Sequence, residues 1–439
     1  MFEYVKLKNF KSFSDVEFNL LDKTGMPKQL ILIYGKNGVG KSNLASAFFM
    51  LSETLRTMDV RDIMQSILSK DPESIGDEDF SRFLKMRYKD IETLIQENKM
   101  VESTEPMYLE FGFCLFGKSG RYIIETDNTQ IIHERLEFTL AKNRGAYFDI
   151  TPEKTTISQK IFLENTAYQE IKKACNKYWG KHSLLAILMH ESEDKADMYI
   201  KEQISDNFDL ILEFLSRVSC KVKIGSRQER GIIGLPPEIF GNYNEGTIRN
   251  DEEKLLDKAE EILNLFFQST YKDVGNVYYK RTYKENLINY RLMICKYIAG
   301  AKREIEFSLE STGTQSLLQL LPFMLVAVQG SVAIIDEFDT ALHDILVESL
   351  VTALNRDSDG QLIMTTHNTL LMESDISKES IYVIDETENG DKEIQCITHY
   401  DSKIHKNTNI RNQYIQGSYH GIPEKTYIDF NSLLATLES

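Results

Sequence analysis

The eight residues Gly35-Lys36-Asn37-Gly38-Val39-Gly40-Lys41-Ser42 constrain this chain more than any other stretch. They fit G-x-x-x-x-G-K-[ST] at every fixed position. The apolar run Leu30-Ile31-Leu32-Ile33-Tyr34 before them reads as a buried strand, and Asn43 to Leu51 after them reads as a helix. A phosphate cradle needs that context. Glycines let the backbone curl with several N–H groups pointing inward, and the following helix adds free N–H groups and the positive end of its dipole. Asn37, Gly38, Gly40 and Asn43 would line the cradle. Lys41 would reach the β- and γ-phosphates of a nucleotide, and the Ser42 hydroxyl would ligand Mg²⁺. A strand-turn-helix corner that carries glycines only for its geometry has no need of Lys41 and Ser42 in these places.

With 439 residues the chain is long enough for two or three domains. Its 42% hydrophobic and 27% charged residues suit a folded protein rather than a disordered one. No apolar run approaches the ~20 residues that span a bilayer, and Met1-Phe2-Glu3-Tyr4-Val5-Lys6-Leu7 lacks a signal-peptide core. Cys114, Cys175, Cys220, Cys295 and Cys396 are scattered with no C-x-x-C pair, which argues against a zinc site and fits a reducing compartment. The expected setting is therefore cytoplasmic, with no membrane partner. The net charge of −16 argues against a protein that mainly coats nucleic acid, while leaving room for a local basic patch.

Along the chain, the first thirty residues alternate apolar and polar side chains and predict two strands ahead of the phosphate loop. Helical pattern predominates from about 45 to 100, with an insertion expected over about 57–104. Strand signals return over 107–150 as an antiparallel meander, separated by Gly117-Lys118-Ser119-Gly120 and Asp127-Asn128. Residues 151–276 read as a separate helical subdomain, broken where Gly231, Gly234, Pro236, Pro237 and Gly241 crowd together. Residues 277–439 return to strands and then alternate strand and helix. The expected division is thus 1–150 as the first half of a nucleotide-binding domain, 151–276 as an insertion and 277–439 as the second half.

That second half carries the remaining chemistry. Ser331-Val332-Ala333-Ile334-Ile335-Asp336-Glu337 is an apolar strand ending in two carboxylates. Asp336 is placed to hold Mg²⁺, and Glu337 to polarise the attacking water. A strand end that merely meets solvent would also carry carboxylates, but a phosphate loop in the same chain favours the functional reading. Upstream, Ser311-Thr312-Gly313 opens a helix and offers a second anion-binding N-terminus, or simply a cap. Downstream, Gln361-Leu362-Ile363-Met364-Thr365-Thr366-His367 is an apolar strand ending in a histidine that would touch the γ-phosphate or the water.

In that order, these motifs resemble the ATP-binding-cassette ATPases, and more narrowly the soluble branch related to the RecF and SMC proteins. The opening Leu7-Lys8-Asn9-Phe10-Lys11-Ser12-Phe13 is similar to the start of that branch, which implies that Lys11 and Ser12 lie near the nucleotide. The close, Tyr414-Ile415-Gln416-Gly417-Ser418-Tyr419-His420-Gly421-Ile422-Pro423, resembles the ending of the single-cassette AAA-type ATPases of bacterial anti-phage and abortive-infection systems, such as those of the RloA/AbiL and PARIS types. The resemblance covers residues 1–56, 105–150 and 290–439. It implies an α/β fold, an ABC-type P-loop ATPase domain with an antiparallel β subdomain and an inserted helical subdomain. It implies ATP and Mg²⁺ as cofactors, and catalytic roles for Glu337 and His367. It also implies a homodimer or higher homo-oligomer in which ATP is clamped between one subunit's phosphate loop and Ser311 and Gly313 of another. The family's Ser-Gly-Gly signature reads Ser311-Thr312-Gly313 here, and its glutamine loop has only Gln96 and Gln130 as candidates.

Two functions follow from the resemblance. One is the sensor ATPase of an anti-phage system that controls a separate toxic effector such as a nuclease, because no effector domain is expected after the cassette. Its trigger would be a nucleic acid or a phage protein. The other is a RecF/SMC-like ATPase of DNA repair or maintenance. That reading needs a basic groove, for which Lys280, Arg281 and Lys284 among Tyr278, Tyr279 and Tyr283 are candidates, as are Lys221, Lys223, Arg227 and Arg230. A transporter ATPase subunit fits less well, given so long an insertion.

Overall fold

The computed structural model describes residues 1–59, 61, 89–139, 143–193, 202–236, 240–400, 409–423, 426 and 428–438. The chain opens with a hairpin of β1 (Phe2–Phe10) and β2 (Phe13–Asn19), then β3 (Leu30–Gly35), the phosphate loop and α1 (Lys41–Thr54). After α2 (Ile91–Asn98) come β4 (Met107–Leu115), β5 (Lys118–Thr126), β6 (Ile131–Thr139), β7 (Arg144–Ile150) and β8 (Thr155–Ile157). Helices α3 (Asn165–Tyr178), α4 (Leu184–Glu193) and α5 (Asp206–Ser216) follow, and then the hairpin of β9 (Val218–Ile224) and β10 (Arg227–Gly231). Next are β11 (Glu245–Arg249), α6 (Glu253–Thr270), β12 (Val274–Lys284), β13 (Leu287–Ile298) and β14 (Ala301–Glu306). The last part comprises α7 (Thr312–Val328), β15 (Val332–Ile335), α8 (Asp344–Asp357), β16 (Gln361–Thr365), β17 (Ile381–Glu386) and β18 (Lys392–Cys396).

The functional half of the molecule is one sheet in the order β10-β9-β15-β16-β3-β17-β18. Its five inner strands run parallel, and β10 and β18 run antiparallel at the two edges. Parallel strands covered on both faces have no solvent side, so β3 and β15 read as unbroken apolar runs. Alternation along each strand then splits its side chains between two cores. Ile31, Ile33, Ile334, Ile363 and Ile384 join α1 in one core, and Leu30, Leu32, Ala333, Ile335, Leu362 and Met364 join α7 and α8 in the other. The helix that opens at the phosphate loop and the helix that opens at Ser311 therefore cover opposite faces of the same sheet.

The first core is shared with an antiparallel sheet of order β2-β1-β4-β5-β6-β7-β8. Gln361, fully buried on β16, bonds the two sheets together. It accepts the Phe2 N–H at 2.7 Å and donates to the carbonyls of Phe2 and Lys28, both at 2.9 Å. The fold class is thus the expected α/β one, with an antiparallel β subdomain beside the sheet that carries the phosphate loop.

The expected separate helical subdomain over 151–276 needs correction. Its helices α3, α4 and α5 are present, and α4 is tied to the antiparallel sheet through Glu134, which accepts the Leu184 N–H, Tyr122 O–H and Trp179 Nε1–H. Burial pushes the Glu134 carboxyl up to about 6, against those three donors. But β9 and β10 belong to the nucleotide-binding sheet, where β9 pairs in parallel with β15. In the same stretch, β11 belongs to a further antiparallel sheet with β12, β13 and β14, and α6 packs on that sheet. Of the insertion expected over 57–104, residues 60 and 62–88 lie outside the described residues, and α2 falls within it.

Candidate nucleotide site

β3 delivers the loop and α1 receives it. Tyr34, the last apolar side chain of β3 before the loop, is buried against Tyr414 with ring centroids 5.7 Å apart, and its hydroxyl donates to the Asn368 carbonyl at 2.9 Å. The motif Tyr414 to Gly421 thus packs under the strand that carries the loop, with the Tyr414 hydroxyl donating to the Gly421 carbonyl. Lys41 is buried, and its ammonium donates to the carbonyls of Gly35 at 2.8 Å and Lys36 at 3.0 Å. Burial pushes its pKa down, against the pull of Asp336, Glu337 and Asp339. Asn37 and Gly38 form the exposed tip of the loop. Gly40 has φ of 115°, and a Cβ there would meet the Ser12 hydroxyl at 3.0 Å, so glycine is required on both counts.

Ser12 touches the loop directly. Its hydroxyl accepts from Asn43 Nδ2 at 2.9 Å. Lys11, on the same β1–β2 turn, has φ of 48° and donates its N–H to the Asn98 carbonyl at 2.7 Å. Burial lowers the Lys11 pKa to about 8, while Glu97 and Asp336 pull it back up.

The carboxylates emerge where β15 ends. Asp336 is 2% exposed; its Oδ1 accepts the Thr365 hydroxyl at 2.6 Å and its Oδ2 accepts the Lys223 N–H at 3.3 Å. Glu337 sits in the left-handed region at φ 50°, an uncommon conformation for a side chain of this size, and the chain leaves the strand there. Its N–H donates to the Thr365 hydroxyl at 2.8 Å, so a single threonine on β16 fixes both acidic residues. Both Glu337 oxygens lie 3.2 Å from the Lys223 ammonium. At the end of β16, the His367 N–H donates to Asp339 at 2.9 Å. Desolvation first and Lys41 second push the His367 pKa below its ordinary value, over the opposing carboxylates of Asp339, Glu337 and Asp336. His367 is therefore largely neutral at pH 7, with one ring nitrogen as donor and the other as acceptor.

Ser311 caps α7. Its hydroxyl accepts the Thr314 N–H at 3.2 Å and lies 2.9 Å from the Thr314 hydroxyl. A Cβ on Gly313 would stand 2.7 Å from the Ala341 carbonyl, so the loop after Glu337 is laid directly on this glycine. Ser311 and Thr312 are exposed. The structure thus gathers Lys11, Ser12, Lys41, Asn43, Asp336, Glu337 and His367 at one edge of the sheet. Ser311 and Gly313 lie on the helix that covers the other face, with Gly313 against the loop that follows Glu337.

Lys221, Lys223 and Thr365 were not anticipated as site residues. Lys221 and Lys223 were candidates for a DNA groove, but β9 carries both to the carboxylates. Lys221 is buried with its ammonium 3.4 Å from the Asp336 carbonyl, and burial lowers its pKa to about 8 against Asp336. Of the other groove candidates, Arg227 pairs with Glu97, and Arg281 is held by Glu253, Asp257 and Glu260 of α6. Tyr279 is buried in the core beside Tyr290. The alternation of Cys220, Val222 and Ile224 with Lys221 and Lys223 is the one signal in the sequence for a strand here. Gln96 is exposed on α2 and bonds Glu92, and Gln130 lies in the exposed β5–β6 turn; β9 brings lysines, not a glutamine, beside Asp336.

The acidic oxygens suit a hard cation. Asp336 and the Ser42 hydroxyl are oxygen donors at adjacent element ends, the short protein ligand set that Mg²⁺ takes alongside phosphate oxygens. Among the described residues there is no cluster of three or more His, Cys, Asp or Glu side chains that would hold a metal by themselves. Also among them, no helix is long and apolar enough to cross a membrane.

Three solved structures share similarity with the chain. An SMC head bound to the C-terminal winged-helix domain of ScpA is 13% identical, covers 90% of this chain and 96% of its own, and gives a TM-score of 0.43. The SMC head domain from Thermotoga maritima is 15% identical over 90% and 98%, with a TM-score of 0.37. An SMC head with an extended coiled coil, bound to the C-terminal domain of ScpA, from Pyrococcus furiosus, is 13% identical over 90% and 95%, with a TM-score of 0.36. No curated protein matches the chain. Residues 1–372, which take in the phosphate loop, both carboxylates and His367, match the AAA ATPase domain. The chain belongs to the AAA ATPase domain family.

Proposed function

We propose that this chain is an ATP-hydrolysing switch whose catalytic site is completed by a second copy. The observation that carries this reading is the convergence of Lys41, Asp336, Glu337 and His367 at one sheet edge, with Glu337 turned off its strand at φ 50°. On ATP binding, Lys41 exchanges the carbonyls of Gly35 and Lys36 for β- and γ-phosphate oxygens. The backbone of Asn37 to Gly40 cradles the phosphates. Ser42 and Asp336 would hold Mg²⁺, which when bound neutralises charge between the β- and γ-phosphates. Glu337 takes the proton of the attacking water, and neutral His367 orients it. Lys11 and Ser12 support the nucleotide from the β1–β2 turn. Ser311 and Gly313 of a second subunit close over the γ-phosphate, because α7 presents them from the face opposite α1. ATP binding then favours a closed assembly and hydrolysis reopens it.

Glu337→Gln tests the chemistry. It is expected to lower turnover by about 10²–10⁴-fold, the usual worth of a general base, and to keep ATP bound in a stable oligomer. Wild-type turnover by this variant would remove Glu337 from the role.

The narrower reading is that the switch reports phage infection and controls a separate effector in the cytoplasm. The resemblance of Tyr414 to Pro423 to the endings of anti-phage ATPases supports it. Deleting the gene from its native host should raise phage plating, and Lys41→Ala should match the deletion. Unchanged plating across a phage panel would contradict it.

A further inference from the structure

We infer that Lys223 is a γ-phosphate-reading latch on Glu337: its ammonium holds the carboxylate until a nucleoside triphosphate draws it away. The inference rests on the reading above, in which the γ-phosphate lies between Lys41 and Glu337. Two contacts place Lys223. Its N–H donates to Asp336 Oδ2 at 3.3 Å, which fixes the backbone beside the Mg²⁺-binding carboxylate. Its side chain then spans to Glu337, with the ammonium 3.2 Å from each oxygen.

This pair is not needed to hold β9 to β15. The parallel ladder does that, together with the Asp336 N–H donating to the Lys221 carbonyl at 2.8 Å. Nor is it buried. The side chains are 49% and 35% exposed, and exposed pairs of this kind are weak because water screens them and long side chains must be pinned. Of the lysines around the carboxylates, Lys41 and Lys221 are buried and Lys11 is half-buried, so Lys223 is the one with room to swing. A γ-phosphate brings more negative charge than one carboxylate, with three acceptor oxygens, and would outcompete Glu337 for the ammonium. Glu337 is then released to accept the proton of water. ADP lacks the competing group, so the latch stays closed. A single lysine thereby ties recognition of the third phosphate to release of the base.

The test is nucleotide binding by the full chain, measured by calorimetry with AMP-PNP and with ADP in the presence of Mg²⁺. Lys223→Met should weaken AMP-PNP about 10–100-fold, the scale of one charged hydrogen bond, and leave ADP within about threefold. Lys223→Arg should keep most of the AMP-PNP affinity. Glu337→Gln frees the ammonium and should tighten AMP-PNP by about threefold, a gain that vanishes in the Lys223→Met background. Equal AMP-PNP affinity in wild type and Lys223→Met would overturn the latch. So would parallel losses for AMP-PNP and ADP, which mean a distorted phosphate loop. Wild-type hydrolysis by Glu337→Gln would instead remove the base assignment, whatever Lys223→Met does to binding.

Discussion

Strands β9 and β12 look alike in sequence and end up doing opposite things. Each carries basic residues among apolar ones, Lys221 and Lys223 on β9, Lys280, Arg281 and Lys284 on β12. In the structure β9 sits inside the nucleotide-binding sheet next to β15, and its lysines meet Asp336 and Glu337. β12 lies in the outer antiparallel sheet under α6, and Arg281 meets Glu253, Asp257 and Glu260. The carboxylates on the neighbouring element, not the positive charge itself, decide the role. On β9 the neighbours are the carboxylates of the candidate nucleotide site. On β12 they are the polar edge of a helix packed on its sheet, and the contact serves stability.

Substituting the paired basic residue of each strand separates the two most sharply. Lys221→Glu would put a third carboxylate in a buried position beside Asp336, and removing the compensating charge there should cost about 3–5 kcal/mol. Chemical denaturation would read that loss, with nucleotide binding lost alongside. Arg281→Met should cost less, about 1–3 kcal/mol, by leaving three α6 carboxylates without their shared donor. Its hydrolysis rate per folded molecule should stay at the wild-type value, because β12 is outside the site. A fall in turnover would join β12 to the chemistry and erase the contrast.

The pH dependence sharpens the β9 side. Lys221 has a folded pKa of about 8 against an ordinary 10.5, so between those values the unfolded chain binds more protons than the folded one. Stability should therefore gain from this group as pH rises from about 8 towards 10.5, by an amount on the order of 1–3 kcal/mol. Lys221→Met should remove that gain, which denaturation at pH 7.5 and pH 10 would show. The smallest effect belongs to β12 again. Lys280→Glu with Lys284→Glu, both exposed, should change stability by no more than about 0.5 kcal/mol and leave ATP turnover unchanged. A salt-sensitive loss of DNA binding in that double variant would show that the outer sheet is a nucleic-acid surface after all.

The same contrast explains what was legible in the sequence. The phosphate loop is contiguous, and its strand and helix are set by local pattern, so Gly35 to Ser42 can be read without a structure. Asp336 and Glu337 are legible for a related reason: they close the apolar run Val332 to Ile335, and parallel strands buried on both faces leave only their ends polar, while His367 follows the shorter run Leu362 to Met364 after two threonines. β9 defeats that logic. Its polar Ser219, Lys221 and Lys223 interrupt the apolar run, and helices precede it, so local pattern assigns it to a helical insertion. What makes it a core strand is its ladder to β15, more than a hundred residues away in sequence, with register Ile335 to Lys221. The ion pairs that neutralise Arg281 are likewise contacts between elements, which composition cannot supply.

In the proposed switch, one copy's phosphate loop works with another copy's α7 terminus. Mixing two inactive variants tests it most directly. Lys41→Ala has no working phosphate loop but an intact Ser311 and Gly313. Ser311→Arg has the reverse. If the site is shared between copies, each variant alone is inactive in ATP turnover, and the mixture regains turnover well above either parent, because a mixed assembly contains one site with both halves intact. If the mixture stays as inactive as the two variants alone, or if Ser311→Arg by itself hydrolyses ATP at the wild-type rate, the shared-site account is contradicted.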